Sequence, residues 1–291
     1  MQLAEGILEH QAEIRTIRRD IHAHPELRFE EHRTARLVAD RLRVWGFEVA
    51  TGIGGTGVVG TLRQGSSTRS IGLRADMDAL PLQEHNGFAH RSVFDGKMHA
   101  CGHDGHTAML LAAARHLSQS PRFDGTVHFI FQPGEEGGAG ARKMIEDGLF
   151  DRFPCDEVYG MHNWPGIGTG KFGVRAGPAM ASSNEFTITI NGRGSHAALP
   201  HDGIDPIIVA SHLVQALQSI VTRNKKPVDT AVLTVSQISA GSAVNIIPDT
   251  ASLRGTVRTF STEVLDLIER RMRELSEQLP QAFGASGELE F

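Results

Sequence analysis

The sequence predicts an α/β protein with a mixed, mainly parallel sheet, helices on both faces of that sheet, and a second, α+β domain. Strand-like and helix-like segments alternate up to Pro165, the order expected of right-handed crossovers in a parallel sheet. The segment Thr126–Phe131 is almost wholly apolar, as strands buried on both faces are. After a glycine-rich stretch, residues 166–181, the order changes to β-α-β-β-α.

Two amphipathic helices are predicted at the start of the chain. Apolar residues recur at spacings of three and four from Ala4 to about His22 and from Glu30 to Trp45, the periodicity of a helix with one buried face. The segment His24-Pro25-Glu26 separates the two helices, and Gly46 ends the second.

The middle of the chain supplies the predicted sheet. Its elements are two short strands at 58–62 and 70–75, a helix at 107–117 without Gly or Pro, the buried strand at 126–131, a short helix at 140–148 and a strand at 157–161. Polar residues follow three of these strands, namely Asp76 and Asp78, then Glu135 and Glu136, then His162. Because open α/β sheets bind ligands beyond the carboxyl ends of their strands, we expect the three groups to converge.

A domain boundary is predicted near Ala181, which gives domains at 1–180 and 181–291. Within the second domain, residues 184–190 alternate apolar and polar side chains, as a half-buried strand does. A helix at about 205–222, strands at 230–238 and 250–257, a helix at 263–279 and the start of a fourth strand at 287–291 complete the order.

Composition excludes several classes of function. The chain of 291 residues carries a net charge of −5 and has one Tyr and two Trp, so we expect no nucleic-acid partner. Its apolar runs are far shorter than the ~18 residues of a membrane span, and residues 1–21 lack the apolar core of a secretory signal. We therefore expect a soluble, cytoplasmic protein whose two cysteines are available as metal ligands.

A tract rich in Cys and His, Met98–His106, contains one thiol and three imidazoles. These groups bind metals such as Zn²⁺, although the same tract is compatible with a polar loop in which Asp104 caps the next helix. The adjacent carboxylates of Glu135 and Glu136 would repel each other unless a cation lies nearby; alternatively, they mark a helix N-terminus. His162 alone is equally compatible with a core histidine. Convergence at one sheet edge favours the metal site over these separate alternatives.

Four motifs resemble those of the M20 metallopeptidase superfamily, in its amidohydrolase branch, which includes hippurate hydrolase and the plant auxin-conjugate hydrolases. They are Arg74-Ala75-Asp76-Met77-Asp78-Ala79-Leu80-Pro81, His99-Ala100-Cys101-Gly102-His103-Asp104-Gly105-His106, Gln132-Pro133-Gly134-Glu135-Glu136-Gly137-Gly138-Ala139-Gly140 and Gly194-Ser195-His196-Ala197-Ala198. The resemblance runs over the whole chain and preserves the order of the motifs.

The resemblance implies a binuclear metallohydrolase that cleaves the amide bond of N-acyl amino acids. Cys101 would bridge two divalent ions, and His103, Glu136 and His162 would complete four ligand positions. Glu135 would be the general base and Asp78 a carboxylate behind the ligands. In this family, hydroxide held by the metals attacks the carbonyl carbon, and the base passes its proton to the leaving amine. Zn²⁺ or Mn²⁺ is expected, with Co²⁺ or Ni²⁺ also compatible.

For the second domain, the resemblance implies a ferredoxin-like lid that mediates homodimerisation. His196 would enter the active site of the partner subunit, unless it is simply a loop histidine after Gly194-Ser195. Asn245 and Arg258 match lid positions that hold the substrate in relatives. The forked donors of an Arg suit a carboxylate, although an Arg on a strand is more often a solvated surface charge.

The sequence departs from the family at its end. Relatives continue beyond the lid into a last stretch of the catalytic domain, which carries one more metal-binding His, and no such stretch follows Phe291. We therefore expect a truncated chain with an incomplete last lid strand and weak or no activity. A dipeptidase or aminoacylase of the same superfamily is one alternative, although Cys101 in place of a bridging Asp favours the amidohydrolase branch. A non-catalytic metal-binding homologue is another, although the retained Glu135 argues against it.

Overall fold

The computed structural model describes Gly6 and residues 8–291. The chain divides into two compact units, one running up to Gly168 and the other from Thr169 to Phe291. The boundary predicted near Ala181 lies further along the same glycine-rich stretch. The predicted start of the first helix at Ala4 lies outside the described residues. None of the helices in the described part of the chain has the length and hydropathy of a membrane span.

The first unit contains six helices and five strands among its described residues. They are α1 (Gln11–Ala23), α2 (His32–Val44), β1 (Glu48–Ile53), β2 (Gly57–Gln64), β3 (Ser70–Asp76), α3 (His103–Gln119), β4 (Gly125–Gln132), α4 (Glu135–Gly138), α5 (Gly140–Glu146), α6 (Leu149–Arg152) and β5 (Glu157–Gly160). The segment His24-Pro25-Glu26 separates α1 from α2 as predicted. The Glu26 carboxylate accepts the N–H groups of Arg33 and Thr34, which would otherwise lack partners at the start of α2.

The five strands form one mixed sheet in the order β1-β2-β4-β3-β5. β3 pairs in parallel with β4 and with β5, while β2 is antiparallel to β4 and to β1. Four of the strands therefore point in one direction, as expected of a mainly parallel sheet. Because β3 lies between β4 and β5, the carboxyl ends of these three strands lie side by side.

Helices cover both faces of the sheet, which confirms the predicted fold class. On one face, α1, α2 and α3 pack against the sheet through residues such as Ile21, Leu42 and Leu111. On the other face, Met144 of α5 and Leu149 of α6 pack against apolar strand residues. Each such side chain contributes about 1.5–3 kcal/mol when fully buried, so the two cores hold the strand ends in fixed positions.

The second unit is a four-stranded antiparallel sheet with two helices. Its main elements are β6 (Asn184–Asn191), β7 (Ser195–His196), α7 (Pro206–Ser219), β8 (Ala231–Ala240), β9 (Ile246–Ile247), β10 (Thr250–Thr259), α8 (Thr262–Gln281) and β11 (Ser286–Glu290). The sheet order is β11-β6-β10-β8, and β7 pairs with β9 separately. This β-α-β-β-α-β arrangement is ferredoxin-like. The side chains of Asp205 and Ser261 cap α7 and α8 by accepting N–H groups of the first turns.

Candidate metal centre

Cys, His and carboxylate side chains meet where β3, β4 and β5 end. Ligand atoms of Cys101, His103 and His162 lie within 4.8 Å of one another, and so do those of His103, Glu135 and Glu136. His103 is the first residue of α3 and lies beside the end of β3, so it belongs to both groups. The convergence expected from the strand ends is therefore present in the first unit.

His103 lies at the centre of the cluster and is fully buried. Its Nδ1 lies 3.2 Å from Asp78 Oδ1, so Nδ1–H donates to that carboxylate and Nε2 is the nitrogen that remains for a metal. Nε2 has no hydrogen-bond partner, yet it lies 3.9 Å from Glu136 Oε1 and 4.0 Å from Glu135 Oε2. A buried, unpaired nitrogen facing carboxylates fits a divalent cation, and the carboxylate behind the imidazole is the usual support of a histidine ligand.

His162 and Cys101 supply the second side of the cluster. The His162 Nε2 atom lies 3.4 Å from Cys101 Sγ. Its other nitrogen, Nδ1, lies 2.7 Å from the backbone carbonyl oxygen of Asn163 and donates to it, which leaves Nε2 free as a donor atom for a metal. Thiolate and imidazole are the ligands that Zn²⁺ prefers, so the donor set fits the predicted type of ion.

Charges around His103 shift the pKa values of the cluster. Burial alone would lower the pKa of His103, but the hydrogen bond to Asp78 and the negative charges of Asp76 and Asp78 raise it to about 11. For the Asp78 carboxyl, burial raises the pKa, but the hydrogen bonds to His103 and to backbone N–H groups lower the pKa by more. The metal-free cluster thus holds a proton on His103, which a bound metal would displace.

Glu135 and Glu136 follow β4 in α4, a single turn whose backbone angles at Glu136 and Gly137 are not helical, so that the segment has the conformation of a loop. Gly134 and Gly137 have φ values of 54° and 67°, a left-handed conformation that favours glycine. The N–H of Glu136 donates to Asp78 Oδ2 over 2.8 Å, so Asp78 contacts both the His103 and the Glu136 segments. Burial and the adjacent Glu136 charge raise the pKa of the Glu135 carboxyl. A carboxylate with a raised pKa, next to candidate metal ligands, is suited to accept a proton.

The cluster is linked to the loop that carries His162 by three residues that are not among the predicted site residues, namely Arg74, Asp76 and His106. His106 Nδ1 lies 2.6 Å from Asp76 Oδ1, and His106 Nε2 accepts the backbone N–H of Asn163 over 3.0 Å. Asp76 also accepts from Arg74 over 2.8 Å. This chain of contacts fixes the loop that carries His162. The spacing of three residues between His103 and His106 on a helix was a usable signal, because it places both rings on one face.

The remaining predicted site residues lie in the second unit. His196 lies on β7, where its Nδ1 accepts the N–H of Ala198 over 3.1 Å. The backbone carbonyl of Asn245 accepts the N–H of Ala197 over 3.0 Å, so these two predicted residues are neighbours. Arg258 is exposed on β10, where it pairs in register with Val232 of β8.

Comparison with known proteins identifies relatives of this arrangement. Residues 72–260 match the model of peptidase family M20/M25/M40. The chain is 48% identical to a hippurate hydrolase of Campylobacter jejuni, over 97% of this chain and 73% of the relative. It is 46% identical to an N-acetyl-L-cysteine deacetylase of Bacillus subtilis, over 92% of this chain and 64% of that relative. A crystal structure from Bacillus subtilis, described as a dinuclear metal binding peptidase from the M20 family, superimposes with a TM-score of 0.81 at 37% identity, covering 99% of this chain and 74% of that one.

Proposed function

Because the chain belongs to peptidase family M20/M25/M40, we propose that it is a metal-dependent amidohydrolase that cleaves the amide bond of N-acyl amino acids. The observation that carries the proposal is the position of Glu135, whose carboxylate lies 4.0 Å from His103 Nε2 beside the cluster of metal-ligand side chains. A protein that only stores metal has no use for such a base. Two relatives, a hippurate hydrolase and an N-acetyl-L-cysteine deacetylase, support the substrate class.

Cys101, His103, Glu136 and His162 would hold two divalent ions, with Cys101 between them. Bound ions of this kind act as Lewis acids that acidify water and polarise a carbonyl group. Zn²⁺ or Mn²⁺ suits these side chains best, and Co²⁺ or Ni²⁺ is compatible. Asp78 would orient His103, since it accepts the Nδ1–H and so directs Nε2 toward the carboxylates.

Glu135 would move the proton of the reaction. In hydrolysis, a water oxygen bonds to the carbonyl carbon, the C–N bond breaks, and one proton passes from the water to the amine nitrogen. The Glu135 carboxylate lies beside the candidate metal ligands, 4.0 Å from His103 Nε2, so it is placed to take that proton from the water and to release it to the amine. Its side chain remains 40% exposed, so water reaches it.

For the second unit, we propose the role of a lid and dimerisation domain. The edge strand β8 supports this role, because it carries exposed apolar residues, Val232 and Ile238, which a second copy would cover. His196 would then act in the site of the partner subunit. Arg258 would bind the substrate carboxylate through its forked guanidinium, and Asn245 would help to hold the substrate. Light scattering of the purified protein measures the oligomeric state.

The test is turnover of hippurate, N-acetyl amino acids and dipeptides by metal-loaded protein, with and without a chelator, beside a Glu135→Gln variant. Loss of the general base is expected to lower kcat by about 10²- to 10⁴-fold while bound metal is retained. The matched control is Glu146→Gln, the same change at an exposed position of α5, which should leave turnover unchanged. Turnover that survives both the chelator and Glu135→Gln would refute the mechanism, and bound metal without any turnover would favour a non-catalytic homologue.

A further inference from the structure

A short segment between α1 and α2, Arg28–Glu31, contacts the loop that carries Glu135 and Glu136. We name the loop, residues 133–139, the carboxylate loop. Three of the four residues in the segment touch it, each in a different way. The segment is more than a hundred residues away in sequence, and the metal-ligand and base assignments do not use it.

Glu31 provides the first contact. Its side chain is fully buried, and Oε1 accepts the backbone N–H of Gly134 over 2.8 Å and that of Phe29 over 2.9 Å. The other oxygen, Oε2, accepts the hydroxyl of Thr56. Burial raises the pKa of this carboxyl despite these donors. Burying an ionisable group at this position costs free energy. The buried carboxylate provides an acceptor for the N–H of Gly134, the residue before Glu135.

Phe29 provides the second contact. A Cβ atom added to Gly134 would lie 2.6 Å from the ring, and one added to Gly138 would lie 2.7 Å from it. The ring therefore lies directly against the backbone of the carboxylate loop, at two points where any side chain would exclude it. Phe29 itself has a φ of 63°, a left-handed conformation that costs a non-glycine residue roughly 1–2 kcal/mol. The Glu31 carboxylate bonded to its N–H helps to hold it there.

Arg28 provides the third contact. Its Nη1 donates to the backbone carbonyl oxygen of Glu136 over 3.0 Å. The segment thus accepts the N–H of Gly134 and donates to the carbonyl of Glu136, and its Phe29 ring packs against the α-carbons of Gly134 and Gly138. These contacts hold the backbone of the loop at both ends of the Glu135-Glu136 pair.

We propose that Glu31 and Arg28 are positioning residues for Glu135 and Glu136, with the Phe29 ring packed against the same loop. The inference rests on the function proposed above, in which one of these carboxylates moves a proton and the other binds metal. Their carboxyl groups hang from two consecutive α-carbons, so any shift of the loop moves both at once. Misplacement of a reacting group by about 1 Å costs on the order of a hundredfold in rate.

The experiment compares Glu31→Met with Glu31→Gln. Met fills a similar volume but removes both acceptors, whereas Gln keeps a carbonyl oxygen for the two N–H groups and an NH₂ group that donates to Thr56. We expect Glu31→Met to lower kcat at saturating metal by about 10- to 100-fold, to weaken Zn²⁺ affinity by a similar factor, and to leave KM almost unchanged. Glu31→Gln should restore both values to near those of the parent.

Thr61→Val is the matched control, since it removes one hydrogen bond, to His128, elsewhere on the same sheet. It should lower the melting temperature without changing kcat or Zn²⁺ affinity. If Glu31→Met does not fold, Arg28→Met replaces it, because the Arg28–Glu136 bond is exposed and its loss should lower kcat in the same direction with less effect on stability.

Two results overturn the inference: a folded Glu31→Met variant with parental kcat and Zn²⁺ affinity, or a Glu31→Gln variant as impaired as Glu31→Met. For Arg28→Met, parental kcat and affinity have the same meaning. A parent that binds no Zn²⁺ refutes the proposed function itself. A parent that binds metal and turns over substrate beside an unaffected Glu31 variant refutes only the positioning role.

Discussion

Asp78 joins two parts of the candidate metal centre through a single carboxylate. One oxygen accepts from His103 Nδ1 and the other from the backbone N–H of Glu136. Both partners are donors, so the site requires an acceptor at each of the two oxygen positions. An Asn side chain has the same shape but one oxygen and one NH₂ group, so it cannot accept from both donors.

We predict that Asp78→Asn weakens Zn²⁺ affinity by about 10- to 100-fold, the usual effect of losing a carboxylate behind a histidine ligand. In either orientation, the Asn NH₂ group faces another donor, so His103 or the Glu136 segment must shift. Competition with a chelator of known affinity measures the change. Asp151→Asn, at an exposed position of α6, is the control and should bind Zn²⁺ as the parent does; an equal affinity for Asp78→Asn would contradict the role of Asp78.

At this scale, the sequence predicted the side chains that face the cluster and Asp78 behind them, but it did not predict Glu31. Cys101, His103, Glu135, Glu136 and His162 follow strand ends or lie in a Cys/His tract, and such positions carry a local pattern. Glu31 carries none, because its partners Gly134 and Thr56 are distant in sequence and all three of its donors are backbone N–H or hydroxyl groups. A buried carboxylate of this kind is visible only when the fold brings its donors together.

Helices α1 and α3 are joined by a buried ionic network. His22 of α1 lies 2.9 Å from Asp104 Oδ2 of α3 and 3.1 Å from Glu84 Oε1, and Arg18 Nε donates to the same Asp104 oxygen. The hydrogen bond to Asp104 is the main cause that raises the pKa of His22, and it outweighs the effect of burial. Asp104 directly follows His103, so the network also fixes the start of α3.

We predict that His22→Leu lowers the free energy of unfolding by about 3 kcal/mol near pH 6, because it leaves two buried carboxylates without this donor. A pKa raised above 6.5 in the folded state means that protonated His22 contributes fully below about pH 6.5 and that its contribution is lost as the pH rises through the folded value. The difference in the free energy of unfolding between parent and variant should therefore narrow as the pH rises above about 6.5.

Urea unfolding of both proteins with a chelator present measures this difference, since the chelator removes bound metal, which would otherwise contribute to the stability of both proteins. A difference that stays constant from acid to alkaline pH would show that His22 contributes by packing rather than by charge. Arg41→Leu, which breaks the partly exposed pair with Glu13, is the control and should change stability by ~1 kcal/mol or less.

Elements with a clear hydrophobic period were predictable from the sequence, and the others were not. The buried strand β4 and the amphipathic α2 lie within a few residues of their predicted bounds. β1 was missed because a register shift between Thr51 and Ile53 interrupts the alternation that identifies a strand. The short α4 and α6 have four residues each, too few for a helical period, and tertiary contacts decide such turns.

At the scale of the whole molecule, metal binding should stabilise the folded chain. The cluster gathers side chains from the three loops after β3, β4 and β5, so an unfolded chain offers no equivalent site. We predict that Zn²⁺ at about 100 times its dissociation constant raises the free energy of unfolding by about 2.7 kcal/mol. Thermal unfolding of chelator-treated and Zn²⁺-loaded protein measures the increase.

Mg²⁺ is the control ion, because it prefers oxygen ligands in octahedral geometry and should give a much smaller shift. Hydrogen exchange should locate the added protection in the loops after β3, β4 and β5. A melting temperature that does not respond to Zn²⁺ would contradict the assignment of these side chains as ligands.

The placement of the cluster along the chain has a consequence for the order of synthesis. Cys101, His103, Glu135, Glu136 and His162 all precede Gly168, the last residue of the first unit, and the strands that align them have their own core. During translation, these side chains are all added before any part of the second unit, and they leave the ribosome before most of it is made. Domains generally fold as units, the N-terminal one first, so a nascent chain can take up an ion while its remaining residues are still being added.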